Sequence, residues 1–458
     1  MISSITGGGC DLEFLNDREI ESYLKNVIGN KHFFSTELGR KRMIYADWAA
    51  SGRLYRPIEE KICNEIGPLY GNTHSSDSYI GRYINSSYEM ARKELMNLCN
   101  ATKGYELLLG GSGATYALHR FQEIMAIKEI KNVLVFISSH EHNSNYLTWI
   151  ALKAKVIIIP TSILGIIDLD ILEGELKNYI NYDCVIGSFI ASSNVTGIET
   201  NYIEAVKLVK YYGGIGVVDY SAMAPHTQMD FSDSLVDVAY WGTHKFLGGP
   251  GGPGVLLFKT EIYQRETPTI PAGGTVLWTD PEQRAIYINE ISKREDPGTP
   301  AILQTLRATM VHQLINEIGV STIDIRESGF VKYLISTLSV HPSIHVFAEE
   351  QLDRKPIISF IIKGLNYSIV TKALSDYYGI QVRGGCSCAG IFSHELLEIN
   401  KKESNEIYQQ IINGNYDKKP GWVRVSLHAV MRKKDVEYIA DSVYEIASKK
   451  DFFRQKYL

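Results

Sequence analysis

The feature that most constrains the fold is a series of short apolar runs that alternate with helix-like segments. Four of these runs occupy residues 133–137, 156–159, 185–190 and 215–218. Strands that are apolar on both faces occur in parallel sheets that are covered by helices on each side. The pattern therefore predicts an α/β fold with a mostly parallel central sheet and helices on both faces.

Polar residues follow these apolar runs. His142, Asn194 and Asp219 lie at or just past the ends of three runs, and Lys245 follows a further run at 236–241. Ligands bind beyond the carboxyl ends of the strands in sheets of this kind. We therefore expect these four side chains to meet in one site.

Lys245 lies between an apolar run and a glycine-rich turn, and lysine is rarely buried without a function. An amine in a partly apolar pocket loses proton affinity and becomes a nucleophile that is able to form a Schiff base. The alternative is an ordinary lysine in a loop between two strands.

A glycine-rich turn provides a candidate anion site. A strand-like run at 105–109 enters the sequence Gly-Gly-Ser-Gly-Ala-Thr, and a helical pattern follows at 116–127. The free N–H groups of such a turn and the positive end of a helix favour an anion. Ser112, Gly113 and His244 are therefore candidate phosphate ligands, although a plain tight turn explains the same pattern.

Each of the three polar residues that follow strands has two interpretations. Asp219 is either a turn residue or a carboxylate that keeps a heteroaromatic cofactor nitrogen protonated. His142 is either a core histidine or a ring that stacks on a planar cofactor and moves a proton. Asn194 is either a turn residue or a donor to a ring hydroxyl.

The C-terminal part of the chain contains an arginine and two thiols of interest. Arg424 lies within the strand-like run 422–427, where it requires either a substrate carboxylate or a structural ion pair. Cys386 and Cys388 lie in a glycine-flanked loop beside Arg383, and nearby positive charge favours a thiolate, although both cysteines can equally be ordinary small residues. No second Cys/His pair has finger-like spacing, so we expect no metal site.

Length and composition exclude several classes of protein. The 458 residues predict two or three domains, and the net charge of -5 gives no basic surface for nucleic acid or membranes. No apolar run approaches the ~20 residues that span a bilayer. Six cysteines are too few for a disulfide framework, and the first ten residues do not resemble a signal peptide, so we expect a cytoplasmic protein.

Three motifs give the chain a specific resemblance. They are Thr243-His244-Lys245 downstream of Asp219, Arg-Gly-Gly-Cys-Ser-Cys-Ala at 383–389, and Arg-Val-Ser-Leu at 424–427. From about Tyr45 to the C-terminal helix, the chain resembles the class V aminotransferase-fold enzymes that depend on pyridoxal phosphate, in the cysteine desulfurase and selenocysteine lyase group. The resemblance implies a pyridoxal phosphate-dependent transferase of fold type I with a smaller α+β C-terminal domain. The expected division is an arm (1–42) that packs with the small domain, a large cofactor domain (43–310) and the small domain (311–458).

The resemblance also implies roles for individual residues. The implied catalytic residues are Lys245 as the Schiff-base lysine and proton carrier, Cys388 as the sulfur acceptor, and His142 stacked on the ring. The implied cofactor contacts come from Lys245, Asp219, His142, Asn194, Ser112, Gly113, His244, Thr243 and, from a partner subunit, Thr299. The implied substrate contacts come from Arg424, His74 and Asn194.

At two positions the chain departs from the motifs of that group. Ala222 stands where the family commonly has a glutamine, and Gly242 stands where desulfurases often have a serine, with Thr243 as a replacement. The loop 384–390 and the Lys-Pro-Gly-Trp segment before Arg424 also resemble a less characterised branch of the family.

Three functions remain open from the sequence. The first is a cysteine desulfurase-like enzyme that converts L-cysteine to L-alanine and passes the sulfur to Cys388, with Cys386 able to carry or share it. The second is an aminotransferase or epimerase that acts on a small amino acid without Cys388. The third is a non-catalytic scaffold of the same fold. For the enzyme we expect a homodimer with active sites at the subunit interface, and a sulfur-acceptor protein as a further partner.

Overall fold

The apolar runs of the sequence form the strands of a central sheet. The structure is a computed structural model, and it describes residues 17–178, 181–416 and 419–457. The part of the predicted N-terminal arm at 1–16 lies outside the described residues.

The elements are numbered in chain order. The strands are β1 Phe33–Thr36, β2 Gly39–Arg42, β3 Ile44–Tyr45, β4 Tyr105–Gly110, β5 Val133–Ser138, β6 Lys155–Ile159, β7 Cys184–Ile190, β8 Ile215–Asp219, β9 Val238–Gly242, β10 Gly254–Lys259, β11 Val276–Thr279, β12 Ala285–Tyr287, β13 Ile344–Val346, β14 Ile357–Ile362, β15 Ile380–Gln381, β16 Arg383–Gly385 and β17 Trp422–Ser426. The helices are α1 Asp17–Asn26, α2 Arg56–Glu60, α3 Tyr79–Leu98, α4 Ala114–Ile124, α5 Asn143–Ala151, α6 Leu169–Asn178, α7 Tyr202–Tyr211, α8 Ile291–Arg294, α9 Ile302–Ile318, α10 Val320–Ser339, α11 Tyr367–Tyr378, α12 Gly390–Leu396, α13 Lys401–Ile412, α14 Lys433–Ser448 and α15 Lys450–Tyr457.

Within the described ranges, the central sheet has seven strands in the order β4-β10-β9-β8-β7-β5-β6. The strands from β9 to β6 in this order run parallel, and β10 pairs antiparallel with both β9 and β4. The register pairs Ile190 with Asp219 and Asp219 with Tyr240, so β7 and β8 end side by side, and β9 continues to Gly242. The predicted mostly parallel sheet is therefore present.

Helices cover both faces of this sheet. Along β5, Leu134 and Phe136 belong to one apolar cluster, whereas Val135 and Ile137 belong to another. Alternate residues of a strand point to opposite faces, so each cluster marks one face. Helix α7 contributes to the first cluster and α4 to the second, which explains why β5 is buried along its whole length.

A second sheet, β13-β14-β17-β16, is antiparallel and packs against α10 and α11. Strand β3 pairs in parallel with β15, and the backbone of Asp47 forms an isolated parallel β-bridge with Ser426 at the end of β17. The start of the large-sheet region is thereby joined to the second sheet.

The described part of the N-terminal arm contacts the C-terminal helices. The Thr36 hydroxyl donates to the carbonyl of Asp376 at 3.2 Å, and Arg42 forms an ion pair with Asp435. The domain limits at residues 42 and 310 remain a prediction.

Two hairpins form separate two-stranded sheets. Residues 276–279 form β11, which pairs with β12. In the arm, the hairpin β1–β2 follows helix α1. Among the described helices, none is both long and apolar enough to cross a membrane.

Candidate active site

A cavity of about 210 Å³ lies beyond the carboxyl ends of β5, β7 and β8. The sequence-predicted residues that line it are Ser112, Gly113, His142, Asn194, Asp219, His244, Lys245, Cys388 and Arg424. Arg383 lines the cavity as well. The structure therefore brings together predicted residues from Ser112 to Arg424 that are far apart in the sequence.

Lys245 ends a short 3₁₀ turn that follows β9. The carbonyl of the preceding residue, His244, accepts the N–H of Gly52 at 2.8 Å, which fixes the turn. Burial lowers the pKa of Lys245 to about 8; the carboxylate of Asp219 opposes this effect, and Arg424 adds to it. At neutral pH the uncharged fraction of this amine is a minority, but it is far larger than in an ordinary lysine, which favours a nucleophilic role.

Asp219 is the last residue of β8 and is only 3% exposed. Its Oδ1 accepts the N–H of Ser221 at 2.8 Å, which orients the carboxylate. The side chain lines the cavity that also contains the Lys245 amine. A buried carboxylate with this placement is suited to hold a cationic ring nitrogen.

His142 caps the N-terminus of α5. Its Nδ1 accepts the N–H of Ser144 at 3.2 Å and lies 2.7 Å from the Ser144 hydroxyl. Because Nδ1 is an acceptor, the neutral ring has its proton on Nε2. Burial lowers the pKa of His142, and the positive charge of Lys245 lowers it further. The ring is therefore kept neutral, which favours stacking on a planar cofactor.

Glu141 ties the ends of two strands together, and the sequence reasoning missed it. Its Oε1 accepts the N–H of Ile190 at 2.7 Å, and its Oε2 accepts the Asn145 amide at 2.8 Å. Burial raises the pKa of Glu141 to about 8, although these hydrogen bonds oppose the shift. The carboxyl group holds β5, which precedes His142, against β7, which precedes Asn194.

The phosphate-type turn leads into α4. Gly113 has φ +125°, a conformation that strongly favours glycine, and a Cβ placed there would lie 3.2 Å from His244 Cε1. A Cβ at Gly242 would lie 2.6 Å from the same atom. Gly242 therefore makes room for the His244 ring, which explains why a small residue stands where desulfurases often have serine.

Arg424 is held by groups of the protein itself. It is 3% exposed, and its guanidinium donates to the carbonyl of Asn194 at 2.9 Å and to Asp47 Oδ1 at 3.0 Å. Arg383 also reaches Asp47, with Nε 3.2 Å from Oδ2. Asp47 therefore bridges the two arginines that line the cavity, and it is a second site residue that the sequence reasoning missed. The only signal in the sequence was a carboxylate just after a strand-like segment.

The two cysteines of the loop have different surroundings. Cys388 is exposed and lines the cavity. Cys386 is half-buried and packs on an apolar cluster that contains Phe347, Phe392 and Trp422. Only Cys388 of these two thiols therefore lies among the cavity-lining residues.

Three predicted site residues do not line this cavity. Thr243 is fully buried and its hydroxyl donates to the carbonyl of Pro253 at 2.7 Å. It therefore stabilises the glycine-rich turn that follows Lys245 and leads into β10. Thr299 and His74 lie near each other on another surface, where His74 Nε2 donates to the carbonyl of Gly298 at 2.7 Å. Ala222, in place of the family glutamine, does line the cavity and packs in a small apolar cluster with Ala49 and Ile357.

The chain is similar to known proteins over most of its length. A probable cysteine desulfurase of Staphylococcus aureus (strain Mu50) is 24% identical over 371 residues, covering 80% of this chain and 88% of that relative. A probable cysteine desulfurase of Aeropyrum pernix is 24% identical over 415 residues, covering 88% of this chain and 94% of the relative.

Solved structures share the fold. The apo structure of the cysteine desulfurase from Thermococcus onnurineus NA1 matches with a TM-score of 0.77 at 21% identity, covering 93% of this chain and 98% of that chain. The cysteine desulfurase CsdA of Escherichia coli matches with a TM-score of 0.72 at 22% identity, covering 89% of this chain and 94% of that chain. The predicted fold type I is thereby confirmed. A model of the aminotransferase class-V family matches residues 44–439, and the chain therefore belongs to the class-V aminotransferases, a family of pyridoxal phosphate-dependent enzymes.

Proposed function

We propose that the protein binds pyridoxal phosphate and acts as a cysteine desulfurase, converting L-cysteine to L-alanine with transfer of the sulfur to Cys388. The observation that carries the proposal is that Cys388 and Lys245 line one cavity together with Arg383 and Arg424. Relatives at 24% identity that are named probable cysteine desulfurases support it.

The residues of the cavity fit the chemistry of the cofactor. Lys245 provides an amine whose pKa is lowered to about 8, and Asp219 provides a carboxylate for the ring nitrogen. His244 Nδ1 and Asn194 Oδ1 are buried and lack a hydrogen-bond partner among the described residues. Such unpaired polar atoms are costly unless a ligand pairs with them, so they support a polar ligand in this cavity. The N-terminus of α4, with Ser112 and Gly113 before it, suits a phosphate.

Each side chain has a defined task in this proposal. Pyridoxal phosphate, when bound, withdraws electrons from the substrate Cα. Lys245 holds the cofactor and moves the proton at Cα, Asp219 keeps the ring nitrogen protonated, and His142 supports the ring face. The arginines Arg424 and Arg383 orient the substrate carboxylate.

Sulfur transfer takes place on the Cys388 thiolate. Its Sγ attacks the sulfur atom of the substrate, an S–S bond forms, and the Cβ–S bond of the substrate breaks. The substrate carbon skeleton keeps the electron pair of that bond, takes up a proton and leaves as alanine. The balance is L-cysteine plus Cys388–SH giving L-alanine plus Cys388–S–SH, with no external oxidant.

The test measures alanine and sulfide from L-cysteine in the presence of a reducing thiol. Equal amounts of the two products are expected from the wild type. Cys388→Ser is expected to lower the rate roughly a hundredfold while the cofactor absorbance is retained, because only the sulfur acceptor is removed. Cys386→Ser is the matched control and is expected to stay within about twofold, since its thiol packs away from the cavity.

Either of two results would contradict the proposal. Undiminished sulfide release by Cys388→Ser would remove the sulfur-acceptor role. Turnover of amino acids without sulfide would identify an aminotransferase or epimerase instead.

We also propose that the working unit is a homodimer. Thr299 and His74, which the family resemblance assigns to the cofactor and the substrate, lie together but outside the cavity of their own chain. The neighbouring hairpin β11–β12 exposes Leu277, Trp278 and Ile286, an apolar surface typical of an interface. In this proposal each subunit completes the site of the other, and a sulfur-acceptor protein meets the exposed Cys388.

A further inference from the structure

Cys388 lies in an unusual backbone turn. The N–H of Ala389 donates to the carbonyl of Cys386 at 3.0 Å, which closes a four-residue turn. Both central residues have left-handed conformations, with φ +52° at Ser387 and φ +58° at Cys388. Residues other than glycine and asparagine rarely adopt this conformation, and they retain it only when their surroundings hold it.

Two asparagines at the edge of the central sheet hold this turn. The backbone N–H of Asn143 donates to the carbonyl of Cys388 at 2.7 Å, and its side-chain Oδ1 accepts the N–H of Gly390 at 2.9 Å. The Asn194 amide donates to the carbonyl of Ser387 at 2.7 Å. Three residues of the loop are thus fixed to the strand ends that carry the cavity.

The side chain of Asn143 is not needed for its own helix. Asn143 is the first residue of α5, and the helix cap is the preceding residue, His142. Its Oδ1 instead bonds to a residue 247 positions away, next to the cysteine turn. A side chain that spans this distance in sequence contributes to the placement of the turn.

We infer that Asn143 is a positioning residue that holds the cysteine turn so that the Cys388 thiol faces the cavity. Loss of its Oδ1 leaves the Gly390 N–H without its acceptor and weakens the hold on a strained turn. Cys388 then spends less time beside Arg383 and Lys245. Asp at position 143 keeps the acceptor oxygen and suits the first turn of a helix, so Asn143→Asp is the matched conservative variant.

The first test needs neither cofactor nor turnover. Amide hydrogen exchange is measured on the peptide that covers residues 386–392. Asn143→Ala is expected to speed exchange at Gly390 about tenfold, because its N–H loses its acceptor, and Asn143→Asp is expected to retain wild-type protection. Equal protection in all three proteins would overturn the inference.

A second test reports where the thiol lies. Iodoacetate and iodoacetamide alkylate thiols alike, but only iodoacetate carries a charge that the cavity arginines attract. At low salt, the ratio of their rates at Cys388 is expected to exceed the ratio at the exposed Cys63 by about threefold or more, and to fall in Asn143→Ala. An unchanged ratio in that variant would contradict the positioning role.

The third test rests on the proposed desulfurase function. With L-cysteine as substrate, Asn143→Ala is expected to lower kcat about tenfold with KM within about twofold, and Asn143→Asp is expected to restore kcat. A parallel loss in both variants would indicate a merely structural residue. Failure of the wild type to release sulfide would instead refute the proposed function, while the exchange and alkylation results would still decide the role of Asn143.

Discussion

The amine of Lys245 shows how strongly burial controls a single side chain. Its ordinary pKa of 10.5 is lowered to about 8, first by burial and then by Arg424 and Arg383 against the opposing Asp219. An amine is nucleophilic only when unprotonated, so its reactivity increases as the pH rises towards the pKa. At pH 7 about a tenth of this amine is uncharged, against less than about a thousandth for an ordinary lysine.

The pH dependence of cofactor attachment follows from this shift. The rate at which cofactor-free protein reacts with pyridoxal phosphate is expected to rise between pH 6 and pH 8 and to level off above about pH 8.5. Stopped-flow absorbance measures this rate, and Lys245→Ala is the control that should show no reaction. Arg383→Gln is expected to move the midpoint upward, because a charge that disfavours the ammonium is removed. A rate that keeps rising beyond pH 10 would contradict the lowered pKa.

Some site residues could be predicted from the sequence, and others could not. The meeting of His142, Asn194 and Asp219 in one cavity was predictable, because each lies at or just past the end of a buried strand and a parallel sheet collects such positions at one edge. Asp47 and Asn143 were missed because their roles come from contacts with residues 377 and 247 positions away. No local pattern contains that information.

At the scale of elements, a strand, a glycine turn and a helix form the proposed phosphate site. Gly113 has φ +125° at the start of α4, and a Cβ there would crowd His244. A Cβ also restricts the backbone in this region of φ, so two effects oppose any larger residue.

Two glycine substitutions test this element against a matched control. Gly113→Ala is expected to lower the free energy of unfolding by about 1 kcal/mol or more, because its φ is incompatible with alanine. It is also expected to weaken pyridoxal phosphate binding. Gly174→Ala, in helix α6 with no atom within 4 Å of the added Cβ, is expected to raise stability by about 0.5–1 kcal/mol. Urea unfolding measures the stability, and fluorescence titration measures the binding of pyridoxal phosphate. Equal changes of stability and binding in the two variants would contradict the role of Gly113.

Strands of the central sheet were predictable, whereas the hairpin β11–β12 was not. Strands in the middle of this sheet, such as β5 and β9, are apolar on both faces, and that pattern is visible in the sequence. In β11, Leu277 and Trp278 are exposed, so the strand lacks the alternation that marks one buried face. In the proposed dimer the partner subunit covers these apolar side chains, so the pattern of one buried face within a single chain does not apply to this strand.

At the scale of the whole molecule, the protein has an apolar core that crosses the predicted limit between domains. Trp241 and Phe246 of the central-sheet region share one cluster with Val311 and Leu314 of α9. The sequence contains no linker-like segment near the predicted limit at residue 310. Chain length could therefore suggest the number of domains, but no local feature indicated how the domains contact each other.

The proposed dimer makes a prediction about mixtures of inactive variants. Lys245→Ala and His74→Ala are each expected to be nearly inactive alone. Mixed dimers of the two contain one intact site, because Lys245 and His74 of a given site come from different subunits. A mixture in equal amounts, after subunit exchange, is expected to show about a quarter of the wild-type rate of sulfide release.

Analytical ultracentrifugation of the same samples verifies that dimers are present. Activity of the mixture that equals the mean of the separate variants would show that each site is built from one chain.

The bridge from Asp47 to Arg424 and Arg383 also determines when the site is assembled during synthesis. Asp47 leaves the ribosome 377 residues before Arg424, and elongation at about 5–20 residues per second separates the two by roughly 20 to 75 seconds. Strand β3 likewise meets its partner β15 only after most of the chain has been made. A nascent chain that ends before β16 holds Lys245 and Asp219 but neither arginine. The side of the cavity lined by the two arginines, to which the proposed function assigns the substrate carboxylate, is therefore the last part to form, and the protein gains it only when its two sheets have joined.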